Sequence, residues 1–287
     1  MSSHMTSTLP AFQGTLFLDK SALHALSFAK CAELAKSFNF LVTDVLMNEM
    51  AADVIKYPCN QVHVHAAKVL QYDLRFSIPF PELVVRSLCG QDILMKGVPV
   101  TSAHPKPDSA ECTYRELLSR ISRCESTPAD LTDAEEWNRK VNALDPCAHQ
   151  KAVQQLFVDC NMKDDPHIAV DKLLRDSSKT ALLIGYLKDL VRIPDAIYAR
   201  ILKRLSSAPL IPIADMANYA AFVLRSDLYF HFALAAGTIT TKRNNRVDHM
   251  YCFYLPFCKL FLTSDETQCQ FARLFCSPWQ TVKYLSP

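Results

Sequence analysis

Asn245-Arg246-Val247-Asp248-His249-Met250 through Tyr254-Leu255-Pro256-Phe257-Cys258 to Leu260-Phe261-Leu262-Thr263-Ser264-Asp265 is the stretch whose reading decides the fold. Asp248 opens an apolar run of helical character, and Pro256 closes it. Lys259 to Thr263 then reads as a short buried strand, with Ser264-Asp265 just past its carboxyl end. An acid at a helix start and another beyond a strand's end is how an open α/β sheet brings charged side chains to one edge.

The amino end repeats that arrangement. Thr15-Leu16-Phe17-Leu18 reads as a buried strand ending in Asp19. Ser21 to Phe38 reads as one helix, because Ala22, Leu23, Leu26, Ala29, Leu34 and Ala35 recur at helical intervals. Phe40-Leu41-Val42 is a second strand, and Thr43 or Asp44 caps a helix running to about Tyr57. Glu49 lies on that helix, near the same edge as Asp19. Strand, helix, strand, helix is the opening of a parallel sheet. Ile213 to Ala236 is a strongly apolar helical run stopped by Gly237, and Thr267 to Phe275 and Thr281 to Leu285 supply a last helix and strand.

Between about 58 and 209 the pattern changes. Pro79, Pro81, Pro99, Pro105, Pro107, Pro128 and Pro146 punctuate its first part. Helical patterns occur at Val62 to Tyr72, Ser109 to Cys124, Asp133 to Val141, Ala148 to Asn161, Pro166 to Arg175, Thr180 to Val191 and Ala196 to Leu205. The expected fold is α/β. A central parallel sheet flanked by helices is built from 14–57 and 210–287, with 58–209 as a large, mainly helical insertion or subdomain. Phe76-Ser77-Ile78-Pro79-Phe80 is a weaker strand pattern inside it.

Composition narrows the function. The chain has 287 residues, 49% of them hydrophobic, so it can bury a core. A net charge of +2 demands neither a nucleic acid nor a membrane as partner. The eleven cysteines have no Cys-x-x-Cys pair, which speaks against structural zinc and for reduced thiols in a cytoplasmic protein. No apolar run reaches membrane-spanning length, since Arg225, Asp227 and His231 interrupt the longest.

Asp19, Glu49, Asp248 and Asp265, in this order and these surroundings, resemble the carboxylates of the PIN-like nuclease domain. That family places an Asp after the first strand, a Glu in the second helix, an Asp at the start of a later helix and an Asp after the fourth strand. Thr263 matches its small hydroxyl residue ahead of the final acid. The resemblance covers about 14–57 and 210–287, and 58–209 has no counterpart in it. It implies a metal-dependent endonuclease, RNA more often than DNA, in a bacterial setting such as a toxin or phage-defence component.

Four carboxylates held together repel and raise one another's pKa values unless a cation neutralises them. Oxygen-only donors suit Mg²⁺ or Mn²⁺. Asp19, Asp248 and Asp265 are then the nearest ligands, with Glu49 direct or through water. Thr263 and Ser264 orient an acid or a bound water. Lys242, Arg243 and Arg246, just ahead of Asp248, are candidate contacts to the phosphate backbone.

Each residue also has a plain structural reading. An Asp at a helix start is commonly a cap and an Asp after a strand a turn residue. His63 and His65 read as surface histidines, His249 as a partly buried one, and Asp53 as a solvated residue one turn from Glu49. Tyr251, Phe253, Tyr254 and Phe257 read as core. The alternative function is a PIN-like binding module with weak or no catalysis, whose insertion docks a protein partner or inhibitor, with self-association also open. A phosphatase or nucleotide hydrolase using the same acids is a third.

Overall fold

The structure, a computed structural model, describes residues 14–56, 62–72, 74–91, 93, 109–143, 156, 165–206, 211–239 and 243–286. Strand β1 (Gly14–Leu18) leads into helices α1 (Lys20–Ala25) and α2 (Phe28–Ala35). Strand β2 (Phe38–Val42) is followed by α3 (Asp44–Lys56) and α4 (Val62–Leu70). Strand β3 (Leu74–Phe76) precedes α5 (Phe80–Leu88), α6 (Ser109–Ser122), α7 (Pro128–Ala143), α8 (Pro166–Arg175), α9 (Thr180–Val191) and α10 (Asp195–Ser206). The chain returns through α11 (Ile213–Met216), α12 (Asn218–Ala235) and α13 (Arg243–Cys252). Strand β4 (Leu260–Thr263), α14 (Glu266–Phe275) and β5 (Thr281–Tyr284) complete it.

The strands form one parallel sheet in the order β3-β2-β1-β4-β5. β1 and β4 are central, and Leu16, Phe17 and Leu18 pair with Leu260, Phe261 and Leu262. Every residue of β4 is buried, as are the last four of β1, so helices cover both faces. That is why these strands read as unbroken apolar runs. The edge strand β5 buries only Val282 of its four residues. Among the described residues no helix is long and apolar enough to cross a membrane.

Three local expectations are corrected. Ser21 to Phe38 is two helices, because Leu26 is extended (φ −76°, ψ 133°) and the Ser27 hydroxyl caps α2 by accepting from the Lys30 N–H at 3.2 Å. Ile213 to Ala236 is likewise broken at Ala217 (φ −148°, ψ 83°). Asp248 stands in the second turn of α13, which begins at Arg243, and so is not a helix cap.

The span 58–209 contributes to the sheet itself, since Leu74, Arg75 and Phe76 pair with Phe40, Leu41 and Val42. Its helices share the sheet's hydrophobic core: Leu83, Leu118, Val170, Leu174 and Leu187 belong to one buried cluster with Leu16 and Phe261. α12 packs against both α5 and α8, which ties the middle of the chain to its carboxyl-terminal part. The helix expected at Ala148 to Asn161 lies outside the described residues apart from Leu156.

Candidate functional site

In a sheet ordered β3-β2-β1-β4-β5, chain direction across the sheet reverses between β1 and β4. The crevice at the carboxyl ends of such a strand pair is where open α/β sheets take ligands. Asp19 leaves β1 there and Thr263 ends β4, with the Asp19 N–H donating to the Leu262 carbonyl at 3.4 Å. The Thr263 hydroxyl donates to Asp19 Oδ2 at 2.6 Å and accepts from the Asp265 N–H at 2.9 Å. Two strand ends are thus joined through one hydroxyl.

Asp19 also caps α1, accepting from the Ala22 N–H at 2.6 Å, and the Ser21 hydroxyl lies 2.8 Å from Oδ2. Burial pushes its carboxyl up to about 6, against the lowering effect of those hydrogen bonds. Asp265 caps α14, accepting from the Gln268 N–H at 2.8 Å. The Gln268 side chain donates to the Asp248 carbonyl at 3.0 Å and so fixes α13 against α14.

Glu49 reaches the edge from α3. Its Oε2 accepts from the Tyr251 hydroxyl, and its Oε1 lies 3.7 Å from Lys20 Nζ. Burial raises its carboxyl, while Lys20 and Tyr251 pull it down. Asp248 is shifted upward as well. Burial, then the charges of Glu49, Asp265 and Asp19, push it up to about 8, with only Lys20 opposing. Asp248 therefore lies within electrostatic reach of Glu49, Asp265 and Asp19, and Asp19 within reach of Glu49.

The acids at this edge offer oxygens only, the donor chemistry of a hard divalent cation, and Lys20 relieves part of their mutual repulsion. Their present rotamers do not yet make a chelate. Among the described residues no group of three His, Cys, Asp or Glu side chains is arranged to hold an ion. Asp19 is turned to Thr263, Ser21 and Ala22, and Glu49 to Tyr251 and Lys20.

The other expected residues fall differently. Arg246 is 5% exposed and turned inward, its guanidinium paired with the buried Asp227. Lys242 and the Arg243 side chain lie outside the described residues. The Ser264 N–H donates to the Ser21 hydroxyl at 2.9 Å, so this residue meets the site through its backbone. Asp53 is paired with Lys20 at 3.1 Å and is buried, where a solvated residue was expected. His65 is buried too, stacked on His24 at 4.0 Å between ring centres, because α4 packs that face inward.

Sequence reasoning missed Lys20, Ser21, Tyr251 and Gln268. Two of them carried a signal. Gln268 stands three residues after Asp265, the spacing of a capping box. Tyr251 stands three after Asp248, on the same side of a helix. No family model, curated protein or solved structure matches this chain.

Proposed function

We propose that the chain is a metal-dependent endonuclease of PIN-like type that hydrolyses phosphodiester bonds, in RNA before DNA. One observation carries the reading: Asp248 is pushed up to about 8 by burial and, after it, by the charges of Glu49, Asp265 and Asp19, of which Asp19 and Asp265 stand just past the strands at the reversal point of the sheet. A fold gains nothing from burying like charges together unless something neutralises them. The acids after the first and fourth strands stand in the chain positions that the resemblance implies.

A bound Mg²⁺ or Mn²⁺ would supply an activated water and neutralise charge on the scissile phosphate. Asp19, Asp248 and Asp265 are the residues that would hold it, with Glu49 direct or through water. Thr263 holds Asp19 in register with β4 and keeps the two strand ends from parting. Ser21 and Gln268 fix the frame around it. Arg246 has no part in substrate binding on this reading, because its charge is committed to Asp227.

The test is cleavage of single-stranded RNA with and without Mn²⁺. Cleavage is expected to need the metal and to fall in Asp19→Asn and Asp265→Asn by at least the ~100-fold that loss of an outer-sphere partner costs a metal site. Metal-independent cleavage, or full activity in both variants, overturns the proposal. A second reading draws on Lys20, which gives the edge a cation of its own. On that reading the chain is a binding module, and it retains nucleic acid without cutting it under any metal.

A further inference from the structure

A cavity of about 870 Å³ opens where α3 and α5 leave the carboxyl ends of β2 and β3. None of Asp19, Glu49, Asp248 and Asp265 lines it. Its volume lies within the roughly 300–1,000 Å³ of small-molecule sites. Asp44 begins α3 and Phe80 begins α5, and α6, α7 and the carboxyl end of α9 supply most of the remaining wall.

The interior joins aromatic rings to uncommitted polar groups. Phe80 is buried, and Tyr114 and Trp137 are half-buried. Tyr114 packs on Phe76 with 6.2 Å between ring centres, whereas Trp137 stacks on no other ring among the described residues. Asp44 accepts from the Tyr254 hydroxyl and from the Val45 N–H at 2.8 Å, both on Oδ1. Burial pushes its carboxyl up, and no cation among the described residues reaches it. The Asn48 amide, one turn further along α3, makes no hydrogen bond among the described residues.

The rim carries positive charge. Arg139 on α7 and Arg192 at the end of α9 are exposed, and neither has an ion pair among the described residues. Arg192 holds φ 55°, ψ 53°, the left-handed conformation in which glycine ordinarily closes a helix. An arginine is strained there where glycine is not, so the position keeps a side chain at a cost. Asp133 and Glu136 add acid to the α7 wall, while Asp130 is answered by Arg120 at 2.7 Å. An anion is therefore repelled from the interior and attracted only to the two guanidiniums.

A flat group rich in N–H donors, with a phosphate left outside, meets both demands. A simple organic cation would suit the acids and be repelled at the rim. Guanine places N1–H and an amino N–H side by side, so one carboxylate accepts both. Adenine and cytosine set their amino group beside an acceptor on the same edge.

We propose that this cavity binds a guanine nucleotide, with the base against Trp137, its donor edge on Asp44 and its phosphate on Arg139 and Arg192. The nucleotide is either free or an unpaired residue of an RNA strand. The site needs no metal and stands apart from the metal-dependent reading above.

Trp279→Phe leaves Trp137 as the sole tryptophan of the chain. Its emission is followed as GMP is added in EDTA to that full-length variant, with calorimetry on the wild type as a second readout. GMP should bind saturably, and AMP and UMP about tenfold more weakly, in line with the loss of a bidentate contact. Guanosine should also bind about tenfold more weakly than GMP, and Arg192→Gln should bring GMP to the level of guanosine. Asp44→Asn should erase the preference for GMP over AMP. A guanine flanked by uridines in a short single strand that binds at least as tightly as GMP, and competes with it, assigns the pocket to RNA. GMP binding without binding of that strand assigns it to a free nucleotide. No saturable signal from either ligand in either measurement overturns the proposal. Equal binding of GMP, AMP and UMP, or of GMP and guanosine, overturns it too, and these comparisons decide even where Asp44→Asn does not fold. Mn²⁺-dependent RNA cleavage by a chain that binds neither ligand in EDTA refutes the pocket alone. GMP binding by a chain that cleaves nothing refutes the nuclease reading alone.

Discussion

Asp227 on α12 and Asp248 on α13 are aspartates on successive helices, and burial acts on both in the same direction. Their environments take them to opposite ends. At Asp227, burial raises the carboxyl, but Arg246 beside it, His231, His249 and the Tyr186 hydroxyl outweigh that and hold it well below the usual range. His249 is itself kept uncharged by burial and by Arg246, so the guanidinium is the cation that matters. At Asp248, three more acids add to the effect of burial, Lys20 opposes them without outweighing them, and the carboxyl rises to about 8. The difference is the supply of positive charge. The interior hub closes its own electrostatics, whereas the sheet edge leaves a deficit facing outward.

The sharpest way to break this comparison is to open the hub. Arg246→Met leaves Asp227 buried and uncompensated, and removing one partner of such a pair costs about 3–5 kcal/mol. Urea unfolding should read that loss, and Asp227→Asn added to it should recover part. A loss below about 1 kcal/mol would make the hub no more structural than a surface pair.

Tyr251→Phe tests whether the α3 side of the edge is also satisfied from within. It removes the donor to Glu49 and should cost about 1.5–3 kcal/mol, the range for a hydrogen bond to a charged group. Asp248→Asn should do the reverse and stabilise the metal-free chain at neutral pH. A carboxyl raised from 3.8 to about 8 contributes stability that is present below the lower value and lost as pH rises toward the upper one. The substitution should flatten that slope. A gain of roughly 1–2 kcal/mol is expected, since a tenfold change in proton affinity is worth about 1.4 kcal/mol and the edge is partly open to water. Thermal unfolding followed across that pH range, with and without Mn²⁺, measures it. Mn²⁺ should flatten the wild-type slope and leave the variant unchanged.

What could be read from residues alone follows the physics of each element. β1 and β4 were legible because strands buried on both faces are continuous apolar runs. β3 was misplaced: the pattern pointed to Phe76 to Phe80, whereas the strand is Leu74–Phe76, three residues with Arg75 in the middle, and Phe80 already opens α5. The break at Ser27 was hidden because apolar spacing runs straight through it, and only the cap ends the helix. The four acids could be named because each abuts a recognisable element. Their partners could not, since Tyr251 finds Glu49 across 202 positions and no local pattern records that meeting. Arg246 misled for the same reason: adjacency to Asp248 suggested a substrate contact, while the helical turn carries its side chain inward to α12.

The hydroxyl of Thr263 touches Asp19 across 244 positions of chain. For a polypeptide emerging from a ribosome amino end first, β1 therefore waits with one flank bare until β4 has been made. Closing so long a loop is slow. Maturation of the edge is in this way deferred until β4 has been made, and a nascent chain stalled before β4 lacks the hydroxyl that joins the two strand ends.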